Sequence, residues 1–307
     1  MKHSLAVLMA VIPPILWGST YLVTTEFLPA DKPLMAATLR ILPVGLFIVL
    51  LTRYRPNREQ WPKLVIVSLL CMSLLHGPLF VSAYRLPGGL AALLIASQPL
   101  MVVVLGYAMF GARITLSAGV GISVGLAGVV MVLVAPSMLV WDTLGIVAAF
   151  VAAISMSLGT LLVKRWKLNI PVLAFTGWQL AIGGAILLPF ALLFELPMAG
   201  FEPGHLGGYL YLALAGTLFP YFLWFTALRH LEPVLISTLI LLSPLSAMIL
   251  GYVFLNQALT GLQLTGAVAV LAGIVITHVS FNKSGLQKPE NPGAPQGALS
   301  PSNSKNN

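Results

Sequence analysis

Long apolar runs alternate with short polar breaks along the chain from near its first residue to about residue 280. A helix needs about 20 mostly apolar residues to cross the ~30 Å hydrocarbon core of a bilayer, at about 1.5 Å per residue. Runs of that kind lie near residues 5–25, 34–52, 64–84, 88–110, 115–135, 143–163, 171–194, 206–228, 233–254 and 260–280. The pattern therefore predicts an all-α integral membrane protein with ten transmembrane helices.

The composition agrees with a chain whose surface faces lipid. Of the 307 residues, 58% are hydrophobic and 8% are charged, and the mean hydropathy is +0.97. A soluble domain carries roughly 25% charged residues. Because the apolar runs occupy nearly all of the chain up to residue 280, no additional soluble domain is expected.

The charge pattern argues against nucleic acid as a partner although the net charge is +8. A polyanion-binding protein gathers its bases on one water-facing patch, whereas here they stand singly or in short groups between apolar runs. Cys71 is the only cysteine, which excludes a disulfide within the chain and a multi-cysteine metal cluster. We expect neither a metal nor another cofactor.

Basic residues in short loops mark the cytoplasmic side of a membrane protein. In this chain most of them follow the even-numbered runs: Arg53, Arg55, Arg58, Lys63, Arg113, Lys164, Arg165, Lys167 and Arg229. The opposite loops hold only Lys32 and Arg85 as bases. This asymmetry predicts a multi-pass protein with both termini in the cytoplasm. Residues 282–307 are rich in Pro, Gly, Ser, Asn and Lys, and we expect a disordered cytoplasmic tail there.

The second half of the chain repeats motifs of the first. Pro99-Leu100, Gly106-Tyr107 and Ala127-Gly128 recur at one offset as Pro244-Leu245, Gly251-Tyr252 and Ala272-Gly273. A shorter offset superposes Gly45 on Gly184 and sets Arg40 opposite Gln179. The repeats would comprise residues 1–138 and 139–281, with five helices each, and the odd number forces the second to cross the membrane in the opposite sense. Inverted repeats of this kind are a transporter architecture, with the solute site between the halves.

These motifs resemble the drug/metabolite transporter superfamily, specifically its ten-helix EamA-type exporters. The resemblance covers residues 5–280 and rests on the segment Trp17 to Tyr21, Arg40, Trp178 with Gln179 and Leu180, Tyr221 to Arg229, and Pro244 with Gly251-Tyr252. It implies a protein of the bacterial inner membrane that exports small metabolites such as amino acids or their derivatives. One departure is that Ala112 and Gln257 stand where the family often has glutamate, so no role of that acid carries over.

Two embedded polar side chains are candidates for solute binding. A charge inside the hydrocarbon costs about 2.5–3.5 kcal/mol on insertion scales and therefore tends to face the bundle interior. Arg40 would hold a solute carboxylate, or else bind carbonyl groups of neighbouring helices. His76, next to Pro78, would bind the solute or accept a proton, or else bond to another helix.

Aromatic and amide side chains complete the predicted site. Those at helical spacing or well inside their runs are Trp17, Tyr21, Phe80, Tyr84, Tyr221 and Trp224, and the amides are Gln98 and Gln179. A cavity walled by aromatic rings suits flat or amphipathic solutes. The alternative is ordinary packing between helices, or helix cross-links for the two amides.

Other functions are weaker interpretations of the same sequence. An intramembrane enzyme would need a nucleophile with its base, or a set of metal ligands, at membrane depth. The sequence has no HExxH motif, no paired aspartates and no dominant Gly-x-Ser-x-Gly elbow, and its single serines have no base at a recognisable spacing. Multidrug efflux would favour an embedded acid, and a membrane scaffold or sensor would normally carry a soluble domain. Small-residue ladders, such as Gly145 with Ala149 and Ala153, predict close helix packing or, as the lesser alternative, a homodimer.

Overall fold

The structure, a computed structural model, describes residues 3–111, 116–134, 142–197, 201–228, 231 and 239–283. Every regular element within these ranges is helical. The helices are α1 (His3–Phe27), α2 (Pro33–Thr52), α3 (Trp61–Ser68), α4 (Leu74–Arg85), α5 (Gly88–Ala96), α6 (Gln98–Phe110), α7 (Leu116–Val134), α8 (Thr143–Trp166), α9 (Val172–Glu195), α10 (His205–Ala213), α11 (Phe219–Leu228), α12 (Leu242–Leu255) and α13 (Gly261–Lys283). One π-helical turn, Leu69–Ser73, joins α3 to α4, and another, Leu214–Leu218, joins α10 to α11.

Several of these helices have the length and composition of membrane spans. Seven stretches qualify by themselves: Ser4–Phe27, Pro33–Thr52, Trp61–Arg85, Gly88–Phe110, Thr143–Trp166, Val172–Glu195 and His205–Trp224. Shorter apolar helices cover Gly119–Val132, Leu242–Leu255 and Gly261–Thr277. The all-helical membrane fold expected from the sequence is therefore present, while the count of ten crossings and the inversion of the halves stay predictions.

Some predicted features lie outside the described residues. These are Lys2, Ala112, Arg113, the boundary between the repeats at 138/139, Arg229 and the tail from residue 284 onward. Helix α13 continues to Lys283, so it extends slightly into the range predicted to be disordered.

A proline in α4 creates a link to α8. Pro78 has no backbone N–H, so the carbonyl of Leu74 loses its usual partner four residues on. The hydroxyl of Ser155 in α8 lies 3.0 Å from that carbonyl oxygen and 3.1 Å from the Ala152 carbonyl oxygen of its own helix, so it shares its one hydrogen between them. The carbonyl that Pro78 leaves without its helical partner is thus used for helix packing, and α4 continues through the proline.

Helices α2 and α9 approach each other more closely than side chains would allow. A Cβ atom added to Gly45 would collide with the backbone of Leu180 and Ala181, and one added to Gly184 would collide with Leu42. Gly45 and Leu42 correspond to Gly184 and Ala181 at the same repeat offset. The contact is therefore reciprocal, as an interface between two related halves would be.

Helices α7 and α13 form a second close contact with the same property. The glycines face each other in two pairs, with Gly121 against the backbone of Gly273 and Gly128 against that of Gly266. At the repeat offset Gly121 corresponds to Gly266 and Gly128 to Gly273. Exchanging the halves converts one pair into the other.

The remaining helix pairs follow this exchange as well. Helix α1 packs on α11 and α12, and helix α8 packs on α4, α5 and α6. The two π-helical turns also stand at matching positions of the two halves. This arrangement agrees with the repeat predicted from the sequence and leaves the centre of the bundle to be lined by both halves.

Candidate functional site

A cavity of about 340 Å³ lies among α1, α2, α4, α5, α6, α8, α11 and the start of α12. Both halves of the chain contribute to its wall. The lining residues are Trp17, Thr20, Tyr21, Arg40, Leu75, His76, Leu79, Ala92, Ile95, Ala96, Gln98, Pro99, Met156, Tyr221, Trp224, Ile240, Leu241, Ser243 and Pro244. The cavity is thus mostly apolar and aromatic, with a few polar groups, which is the usual make-up of a small-molecule site.

Arg40 of α2 lies at the cavity wall with its side chain 5% exposed. Its Nε donates to Thr217 Oγ1 at 3.2 Å, its Nη1 to Thr20 Oγ1 at 3.1 Å and its Nη2 to the Gly216 carbonyl at 3.0 Å. All three acceptors are neutral. Two of them belong to the π-helical turn between α10 and α11, where Thr217 in turn donates to the Leu212 carbonyl at 2.9 Å.

His76 of α4 lines the same cavity and is 5% exposed. Its Nδ1 lies 3.0 Å from the Met72 carbonyl oxygen. Because a carbonyl oxygen can only accept, Nδ1 must carry a hydrogen. In a neutral imidazole the other nitrogen, Nε2, is then an acceptor, and it has no hydrogen-bond partner among the described residues.

Aromatic rings from both halves meet at the cavity. The ring of Trp17 lies 6.0 Å from that of Tyr221 and 5.4 Å from that of Trp224, between centroids, and tilted by 60° in each case. Tyr21, one helical turn from Trp17, lines the cavity next to them. Edge-to-face contacts of this kind hold the rings in place while leaving apolar surface for a solute.

The structure brings together at the cavity seven of the residues selected from the sequence, and their role in solute binding stays a prediction: Trp17, Tyr21, Arg40, His76, Gln98, Tyr221 and Trp224. It does not bring Phe80, Tyr84 and Gln179 there. Phe80 is fully buried, with the Arg40 guanidinium 5.8 Å from its ring centroid, and the Tyr84 hydroxyl donates to the Pro29 carbonyl at 3.0 Å. Gln179 is buried on α9, which packs against α2.

Depth explains the position of Tyr84, since each step of four residues moves about 6 Å along the helix axis and Tyr84 lies two such steps beyond His76. Leu79 lines the cavity, so its neighbour Phe80 lies at the same level but packs into a buried cluster with residues of α2. A shared face is therefore insufficient to predict a shared site.

Sequence reasoning missed several residues of the site, including Thr20, Ser243 and the Thr217 that holds Arg40. A weak signal exists for two of them, because Thr20 lies within the segment Trp17 to Tyr21 and Ser243 directly precedes Pro244. Thr217 carries no such signal, since only the tertiary fold brings the π-helical turn to Arg40.

The described residues include no group of three or more His, Cys, Asp or Glu side chains that could hold a metal ion.

Polar contacts link the two halves at the end of the bundle opposite the basic loops. The Gln257 side-chain oxygen accepts from the Gly88 N–H at 3.0 Å, and Arg85 forms a 2.8 Å ion pair with Asp142. Asp142 also accepts from the Gly145 N–H at 2.8 Å, and this bond together with the Arg85 contact holds the pKa of its carboxyl group below the usual value. The carboxylate of Glu195 accepts from the N–H groups of Leu34 and Met35, each at 2.7 Å, at the start of α2.

Comparison with known proteins gives two kinds of match. Residues 4–134 and 143–279 each match the model described as "EamA-like transporter family". The chain is 40% identical over 267 residues to Protein PecM of Dickeya dadantii, covering 86% of this chain and 89% of PecM. It is 27% identical over 272 residues to YedA of Escherichia coli K12, described as an uncharacterized inner membrane transporter, with 86% and 87% covered.

A plant protein and a solved structure extend the range of the similarity. A chloroplastic WAT1-related protein of Arabidopsis thaliana is 30% identical over 285 residues, covering 87% of this chain and 67% of its own length. A protein of known crystal structure superposes with a TM-score of 0.64 at 19% identity, covering 92% of this chain and 99% of its own. At that identity the superposition shows a similar fold and nothing about function.

Proposed function

The chain belongs to the EamA-like transporter family, and on that basis we propose that it is an inner-membrane transporter that exports small metabolites, such as amino acids or their derivatives, by alternating access. The family membership confirms the resemblance seen in the sequence motifs. It also favours transport over an enzymatic function. The observation that carries the proposal is the cavity of about 340 Å³, whose wall is built by helices of both halves of the chain.

The reciprocal packing of the halves supports alternating access. The contact of α2 with α9 and that of α7 with α13 each relate equivalent residues of the two repeats. In transporters built from inverted repeats, one half rocks against the other around a site held between them. Residues 1–138 and 139–281 would be these halves, with both termini in the cytoplasm.

The two π-helical turns support the same mechanism. They lie at matching positions between α3 and α4 and between α10 and α11, and both connected helix pairs lead to the cavity. π-helical turns weaken the regular hydrogen bonding of a helix and often occur at functional sites. They are the positions where we expect each helix to bend when the polar contacts at the end of the bundle opposite the basic loops separate.

The rival transport function, multidrug efflux of cations, finds less support in the cavity. Cation export would favour a carboxylate in the wall, and none of the lining residues in the described part of the chain is acidic. The family membership favours a transporter over a scaffold or sensor. Whether the protein forms a homodimer stays a prediction, although Gly121 and Gly145 are both used for packing within the chain.

Filling the cavity should abolish export. Ala96 lines the cavity, so Ala96→Phe would place a ring in the space that the solute occupies. Ala108 is exposed on the lipid-facing side of α6, and Ala108→Phe is the matched control. We expect untargeted metabolite profiling of the growth medium to show one or more solutes with wild type and Ala108→Phe that are lost with Ala96→Phe. If all three strains release the same solutes as cells lacking the protein, the proposal is wrong.

A further inference from the structure

The charge balance of the cavity sets a limit on what can bind there. Arg40 keeps its positive charge at any physiological pH, and its three partners in the structure are neutral oxygens. Among the described residues, no carboxylate lies within ion-pair distance of it, and the one ion pair found there joins Arg85 to Asp142. A buried charge without a counter-ion is costly.

The guanidinium also has unused hydrogen-bonding capacity. Its bonds to Thr217, Thr20 and Gly216 use three N–H groups, and a guanidinium has five. The remaining two can bind an anion at the cavity wall, and an arginine held in place by other contacts loses little entropy when it does so.

Resting on the proposed transport function, we propose that the solute binds as a monoanion that carries an aromatic ring, with its carboxylate on Arg40. The ring would lie against Trp17, Trp224 and Tyr221, which supply apolar surface from both halves. The cavity volume of about 340 Å³ is at the small end of the usual range of about 300–1,000 Å³, so it suits a solute of one or two rings.

The same wall discriminates against a positive charge on the solute. A primary ammonium group is best served by a carboxylate, and the lining residues that the structure describes include none. The acceptors of the described wall, such as Thr20 Oγ1 and His76 Nε2, are neutral, and the positive charge of Arg40 in the same wall repels a cation. Zwitterionic amino acids should therefore bind more weakly than the corresponding acids without the amino group. Within the proposed class of solutes, the derivatives lacking a free amine are favoured.

Four small probes of nearly equal shape separate these contributions. They are 3-phenylpropionate (anion), 3-phenylpropanamide (neutral), phenylalanine (zwitterion) and 2-phenylethylamine (cation), each titrated calorimetrically into the full chain in nanodiscs. Hydrogen bonds to a charged group predict that the anion binds roughly ten- to a hundredfold more tightly than the amide. Phenylalanine and the amine should bind more weakly than the anion by at least as much. Equal or tighter binding of either, or no binding of the anion, would refute the inference.

Two variants assign the preference to Arg40. Arg40→Lys keeps the charge but loses the planar fork, so the anion should stay preferred over the amide by a smaller factor. Arg40→Gln removes the charge, and the two probes should then bind about equally. If Arg40→Gln does not fold, the ranking of the four probes by wild type and Arg40→Lys still decides whether the site prefers the anion. An unchanged anion preference in Arg40→Gln would show that Arg40 only cross-links helices.

Failure of this inference would be distinguishable from failure of the transport function. A protein that exports zwitterions or cations in a manner sensitive to Ala96→Phe remains a transporter, and only the choice of the anion is wrong. If the presence of the protein changes no solute in the medium, the proposed transport function is wrong, regardless of how the four probes bind.

Discussion

At the scale of single residues, polar side chains in the interior of the bundle bind partners on neighbouring helices. Arg40 of α2 connects to Thr20 of α1 and to the π-helical turn at Thr217. Ser155 of α8 binds the carbonyl that Pro78 leaves without a partner. In the hydrocarbon core of a bilayer no water can bind an unsatisfied backbone group. The loss of each of these links should therefore lower the free energy of unfolding measurably.

Removing the Ser155 hydroxyl should destabilise the protein. In Ser155→Ala the Leu74 carbonyl loses its 3.0 Å donor, and Pro78 offers it no N–H instead. We expect the free energy of unfolding to fall by about 0.5–1.5 kcal/mol, as for other hydrogen bonds between helices. Reversible unfolding by sodium dodecyl sulfate in mixed micelles measures the change.

Ser68 provides the matched control for this prediction. Its hydroxyl is also buried, but it donates to the Leu64 carbonyl within its own helix. Since that carbonyl already has a helical partner, Ser68→Ala should have the smaller effect. An equal loss in both variants would mean that the link between α4 and α8 contributes nothing of its own.

The aromatic, basic and amide side chains at the site could be chosen from the sequence, because embedded polar residues and rings are rare enough to stand out. Trp17, Arg40 and His76 could be selected for that reason, and all three line the cavity. Tyr84 does not, because helical periodicity defines a face but gives no depth, and Phe80 does not, because it packs into a buried cluster beside the cavity. Thr217 could not be found at all, since its role depends on a contact across many residues.

At the scale of helices, glycine sets the distance between the two halves. Helices α2 and α9 are in backbone contact at Gly45 and Gly184, and no side chain fits between them. Close helix approach through small residues is a main source of stability inside a bilayer, where no hydrophobic effect draws helices together.

Adding one methyl group at either glycine should weaken this contact. Gly45→Ala and Gly184→Ala each place a Cβ against backbone atoms of the opposite helix, which cannot move aside. We expect each to lower the free energy of unfolding by roughly 1–3 kcal/mol, as overpacking does elsewhere. The two losses should be similar because the positions are reciprocal.

Gly207 is the control for the glycine variants. It lies in α10, and a Cβ added there meets nothing within 4 Å. Gly207→Ala should be neutral or stabilising by up to about 1 kcal/mol, owing to the better helix propensity of alanine. Unfolding in mixed micelles again gives the comparison, and a gain in stability in Gly45→Ala would contradict the packing described here.

Hydropathy predicted the positions of the helices well, since the spanning length imposed by a bilayer leaves little freedom. It did not predict the interruptions. The third run is split by the turn Leu69–Ser73, and the fourth divides at Ser97 into α5 and α6. These breaks depend on local hydrogen bonding and on Pro99, and they do not change the average hydropathy of a run.

At the scale of the whole molecule, the account depends on two halves of opposite orientation that enclose one cavity. The packing pairs, the glycine contacts and the π-helical turns all follow an exchange of the halves. Arg85 and Arg229 occupy equivalent positions in the two repeats. If the halves are inverted, these two positions must lie on opposite sides of the membrane.

Cysteine labelling at those two positions tests this most directly. Cys71, the only cysteine of the chain, is buried and can be replaced by serine to give a background without thiols. A membrane-impermeant thiol reagent should then label Arg85→Cys in intact cells, and label Arg229→Cys only after the membrane is permeabilised. Labelling of both cysteines from the same side would contradict the inverted halves and, with them, the mechanism proposed for this transporter.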